Sequence, residues 1–169
     1  ASEYVRQTGD IAILDERING KTLLERLEAA YATPEAHPDT GIVFTTDATR
    51  GVNFGFMDTT IHTGDLLFAS LLKYRASLQL AALAARQGKS DSADTWKSAA
   101  SRLKIALPGI FATESGWLKA STGKSAQHDV WGTAFALYLN ALEGTVKERA
   151  GEALADALDV PLIRLQCYE

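Results

Sequence analysis

Acidic and aromatic side chains stand together in three short, glycine-bearing stretches, and that pairing has a chemistry of its own. The first is Asp47 to Asp58 (DATRGVNFGFMD), the second runs from Gly116-Trp117 to Ser121, and the third is Gln127-His128-Asp129-Val130-Trp131. The flat apolar face of a pyranose stacks on Trp or Phe, while Asp, Asn, Gln and Arg bond its hydroxyls. Hydrolysis of a glycosidic bond needs two carboxyl groups in addition, one of them protonated to assist the leaving group. Loops carried on a rigid scaffold are where such groups usually gather. The candidates are Asp47, Arg50, Asn53, Phe56, Trp117, Gln127, Asp129 and Trp131, with Asp58 among the carboxyls.

Each of these residues also has a plainer use. Asp58 precedes Thr59-Thr60 and a helical run, so it suits an N-cap, and Asp129 suits the cap of a helix opening at Val130. Trp96 and Trp131 fit a helical core, and Arg50 beside Asp47 reads as a salt bridge. His62 and His128 lack a second His or carboxylate at metal-ligand spacing, so no metal site is expected. No cofactor is expected either.

Gly123-Lys124-Ser125 has the look of the end of a phosphate-binding loop. That loop requires G-x-x-x-x-G-K-[ST], with its first glycine freeing backbone amides to wrap the phosphates. The first position here is Leu118, and Leu83 fills it for the other Gly-Lys-Ser at residues 88–90. No strand is expected ahead of either. A phosphate-loop reading is rejected.

The scaffold is read from apolar spacing. Ile11 to Ile18 and then Leu23, Leu24, Leu27 and Tyr31 predict a short helix, or a kink at Gly20, followed by a helix over 21–31. Thr33 to Gly41 is a proline-bearing loop, and Ile42 to Thr46 suit a short strand. Steps of three and four from Leu66 through Leu71, Tyr74 and Leu78 to Ala84 predict a long helix from Thr60 to Gln87. A second helix over 90–107 is expected, with Ser90 or Asp91 as its cap, a stripe of Trp96, Ala99, Ala100, Leu103 and Leu107, and Pro108 closing it. Gln87 to Ser90 joins the two as an antiparallel hairpin. Helices over 130–142 and 145–158 make a further pair. The fold class is all-α, built as one domain over residues 1–169.

Composition narrows the function classes. Apolar residues are 46% and charged residues 22% of 169, the balance of an ordinary globular domain. A net charge of −4 offers no electrostatic basis for nucleic-acid binding, which rests on Lys and Arg neutralising phosphates. No apolar run has the length of a membrane span, and no signal peptide is visible, so a cytoplasmic location is expected. The single Cys167 leaves no intramolecular disulfide.

Two segments, GVNFGFMDTTIHTGDLLFASLLKYRASLQLAALAARQGKSDSADTWKSAASRLKIALPGIF and GWLKASTGKSAQHDVWGTAFALYLNALEG, resemble bacterial members of the six-hairpin glycosidase superfamily. The shared features are a Gly-x-x-Asp element opening a long helix, a helix with a W…A…L…F pattern, and a G-W-L loop before the next hairpin. The resemblance implies an (α/α)6 toroid with its site where the loops gather. It also implies that Asp58, in Gly55-Phe56-Met57-Asp58-Thr59-Thr60, is the general acid. Phe54 and Phe56 would then raise its pKa by desolvation, and Gln127, Asp129 and Trp131 would line a sugar pocket.

A full toroid takes twelve helices and roughly 350 residues, at about 30 residues per hairpin. Five or six helices make about half a ring, either a piece of a longer protein or a shortened form. In the family the second carboxylate comes from a late hairpin; within this chain Asp47, Asp129 and Glu114 are the candidates. Half a ring leaves apolar flanks, so a homo-oligomer is expected. The alternatives are a non-catalytic helical module that self-associates through those flanks, and, more weakly, a helical-repeat adaptor.

Overall fold

An antiparallel pair of long helices forms the framework of the computed structural model, which describes residues 1–49 and 61–158. In chain order the described elements are α1 (Ser2–Thr8), a 3-10 turn (Ala12–Asp15), β1 (Arg17–Ile18), β2 (Lys21–Thr22), α2 (Leu23–Ala32), β3 (Phe44–Thr45), β4 (Gly64–Asp65), α3 (Leu67–Arg86), α4 (Ser90–Phe111), α5 (Val130–Tyr138) and α6 (Gly144–Leu158). The all-α class is as expected. The strands are two antiparallel pairs, β1 with β2 and β3 with β4.

The apolar stripes fold α3 and α4 onto each other. Leu67, Leu71 and Tyr74 meet Ala100, Leu103, Leu107 and Phe111, and Ile42, Leu118, Ala136 and Leu142 complete the same buried cluster. A second cluster lies at the other end of α3, where Val5, Leu14 and Leu24 cover Leu80 and Leu83. Trp96 is half-buried beside it, edge-on to Tyr31 with ring centroids 4.8 Å apart. The expected stripe of α4 is therefore its buried face, and the tight link at Gln87 to Ser90 forms as read.

Several expected boundaries are corrected. Within residues 10–19 the helical part is confined to the 3-10 turn Ala12–Asp15. Asn19 and Gly20 both take left-handed backbone angles, φ 52° and 82°, and turn a short hairpin that pairs Arg17 with Thr22 and Ile18 with Lys21. Asn-Gly is the residue pair that a two-residue hairpin of this hand demands. The helix after it starts at Leu23, capped by Thr22 in a reciprocal capping box with Glu25.

The long helix starts at Leu67, because Gly64 and Asp65 are committed to pairing with Thr45 and Phe44. Its N-cap is Leu66. In α4 the N-cap is Lys89, with no side-chain cap from Ser90 or Asp91, and Pro108 sits inside the helix. Proline removes one intrahelical bond and crowds the preceding turn, at about 3 kcal/mol in a helix interior. Phe111, which is fully buried, holds the last turn in place; burying such a side chain contributes a comparable ~2–3 kcal/mol. Finally, α5 ends at Tyr138, four residues short of the expected end, and Asn140 takes a left-handed φ of 53° in the turn that follows.

Truncating Phe111 tests that anchoring. Phe111→Ala is expected to lower unfolding stability by about 3–5 kcal/mol in urea titrations; a loss below ~1 kcal/mol would show that the turn beyond Pro108 does not depend on it.

Candidate functional site

Three loop segments converge where α3 begins, α4 ends and α5 begins, and backbone hydrogen bonds join them. Leu66 N–H donates to Val43 O at 2.8 Å, and Leu67 N–H donates to Ala120 O at 3.0 Å. Val43 N–H in turn donates to the buried Ser70 hydroxyl at 3.0 Å. Lys119 N–H reaches Phe111 O, Ala120 N–H reaches Gln127 O, and Asp129 N–H reaches Leu118 O, at 2.9, 2.9 and 2.8 Å. The chain ends of three helices are thereby tied into one irregular layer.

A close backbone crossing locks this layer on its outer side. Gly123 N–H donates to Thr63 O at 2.8 Å, and Thr122 N–H donates to Asp65 O at 3.1 Å. Lys124 N–H and Asp65 N–H donate to the hydroxyls of Thr63 and Thr122, at 2.9 and 2.8 Å. A Cβ on Gly64 would lie 2.5 Å from Thr122 Oγ1, and one on Gly123 would lie 2.5 Å from Thr63 O. Only glycine fits at either position. The Gly-Lys-Ser stretch thus has a structural use: its amides at Gly123 and Lys124 are taken by Thr63, and Lys124 Nζ donates to both oxygens of Asp47, at 2.7 and 2.8 Å.

Asp47 is therefore tied to the segment that leads into the third stretch. With Lys124 and Asp47 both more than half exposed, the pair contributes at most about 1 kcal/mol. On the same side His37 Nε2 lies 2.7 Å from Asp65 Oδ1 and its ring stacks on Phe44.

Asp129 is half-buried. It is the N-cap of α5, its Oδ1 accepting from Gly132 N–H at 2.8 Å, as the plainer reading expects. Burial pushes its carboxyl above the ordinary aspartate value near 3.8; the Gly132 amide, His62 and the Trp131 amide pull in the opposite direction without cancelling it. A Cβ on Gly132 would stand 2.5 Å from Asp129 Oδ2 and from Leu67 Cδ2, so the glycine makes room for the carboxylate against α3. The buried Thr133 hydroxyl donates to Asp129 O at 2.7 Å and accepts from Leu118 N–H at 3.1 Å, fixing the G-W-L loop to the start of α5.

The aromatics lie on the rim of this layer. Trp131 is 78% exposed, which overturns its reading as a core residue. Trp117 is half-buried and stacks on His128 with centroids 6.1 Å apart, joining the second and third stretches. His128 Nε2 also lies 3.2 Å from Ser115 Oγ. Gln127 and Glu114 are exposed. Arg50, Asn53, Phe54, Phe56 and Asp58 lie outside the described residues. The helix that Asp58 was expected to cap opens at Leu67.

Thr63, Thr122 and Thr133 hold this arrangement, and nothing in the sequence singles them out, because hydroxyl residues of loops carry no period. The glycines at 64 and 123 were the available signal. Among the described residues no group of three His, Cys, Asp or Glu is gathered to hold a metal ion, and no helix is long and apolar enough to cross a membrane. No protein-family model matches the chain, and no curated protein matches it.

Two substitutions test the Asp129 environment. Gly132→Ala is expected to cost about 1–3 kcal/mol in thermal or urea unfolding, through overpacking against Asp129 and Leu67. For Asp129 itself, a raised pKa means that the folded state holds the proton more tightly than the unfolded state. Its contribution to stability is then greatest below about pH 3.8 and falls as pH rises through the higher, folded value. Asp129→Asn is expected to remove that fall from the stability–pH curve; a curve identical to the parent's would refute the assignment.

Proposed function

We propose that this chain is a carbohydrate-binding or carbohydrate-hydrolysing unit of six-hairpin glycosidase type, its helical hairpins forming about half of an α/α toroid. The observation that carries the reading is the convergence of the second and third loop stretches, with Asp47 of the first, at one end of the α3–α4 hairpin. That end combines an exposed indole (Trp131), a second indole against an imidazole (Trp117 and His128), an exposed amide (Gln127) and a half-buried carboxyl (Asp129). Stacking rings beside hydrogen-bonding side chains suit a pyranose, which is apolar on its face and polar on its edge.

In this reading Asp58 is the general acid, delivering its proton to the glycosidic oxygen as the bond to the sugar breaks. A second carboxylate, from Asp47, Asp129 or Glu114, serves as nucleophile or as base for water. A retaining reaction needs the two carboxyl groups ~5 Å apart, and an inverting one needs about 6.5–9.5 Å to admit water. Arg50, Asn53 and Phe56 complete the sugar contacts from the first stretch.

A titration of tryptophan fluorescence with a panel of mono- and disaccharides tests the reading. At least one sugar is expected to shift the emission saturably, and Trp131→Ala is expected to weaken its binding by tenfold or more. If no sugar shifts the emission and calorimetry detects no heat of binding, the carbohydrate function is lost. Where a sugar does bind and its glycoside is cleaved, Asp58→Asn is expected to abolish cleavage while leaving binding within about threefold.

Self-association is a second reading, favoured by large apolar side chains exposed on the framework helices: Ile105 on α4, 77% exposed, and Leu72 and Leu78 on α3. Half a toroid would in addition leave apolar flanks for a second copy to cover. Light scattering is expected to give a mass of at least twice 18.2 kDa, reverting toward that value in Ile105→Lys. A single-chain mass at every concentration would overturn it.

A further inference from the structure

We draw no further inference here: the strongest candidate, the exposed aromatic strip that runs along α5 from Trp131 to Tyr138 with Phe135 stacked against Tyr138, is an unpartnered helix face, and nothing in the structure shows what covers it.

Discussion

Buried peptide groups must find hydrogen-bond partners, and this requirement organises the end of the molecule that carries the candidate site. A helix leaves its first N–H and last C=O groups unbonded within itself. Here α3 opens without a capping side chain, so its leading amides look to the loops: Leu66 to Val43 and Leu67 to Ala120. The closing turn of α4 does the same through Phe111 O and Lys119 N–H. Each loop is thus held because a helix end needs it. The acids and aromatics that the loops carry are fixed in space as a consequence.

The magnitudes separate what holds this end from what decorates it. The Lys124–Asp47 and His37–Asp65 pairs lie near the surface, where ion pairs contribute little after side-chain entropy and screening. Burial of Leu67, Leu103, Leu107 and Phe111 contributes more, at roughly 1.5–3 kcal/mol for each large side chain. Between these stand the hydroxyl bridges. Thr133 is buried completely, and leaving Leu118 N–H without its partner would cost about 1–3 kcal/mol. A threonine deep in a helix is ordinarily a mild liability. At this position its hydroxyl takes the role of a loop strut.

The parts of the fold legible in the sequence were those with a period. Leucine and alanine steps of three and four marked the buried face of α4 and most of that of α3, since one stripe on each helix had to meet the other. Leu78, counted on the α3 stripe, is exposed, and Ser77 beside it is buried. Boundaries were less legible because they are decided by distant partners. Residues 61–66 carry no mark of local extension except Gly64, and they stay out of the helix because residues 43–45 and 120–124 claim them. Pro108 read as a stop because the local rule says so, and the burial of Phe111 is a tertiary fact. Asn19-Gly20 was a local signal that the apolar periodicity around it masked. At the site, capping by Asp129 was visible from its place before an apolar run. The exposure of Trp131 was not, because an aromatic at helical spacing looks alike in a core and on a rim.

Capping and a raised proton affinity meet at Asp129. Helix-terminal amides stabilise a carboxylate, and an N-cap aspartate is normally made more acidic by them. In this protein the same residue is pressed between Leu67 and the start of α5, and desolvation outweighs the amides. The cap bond fixes the carboxyl's direction through Oδ1, while burial raises the pH at which it gives up a proton. The cap bond accounts for the carboxyl's direction, and its burial beside Leu67 accounts for its tighter hold on the proton. A sugar contact by this carboxyl would therefore use Oδ2, because Oδ1 is engaged by the helix amide.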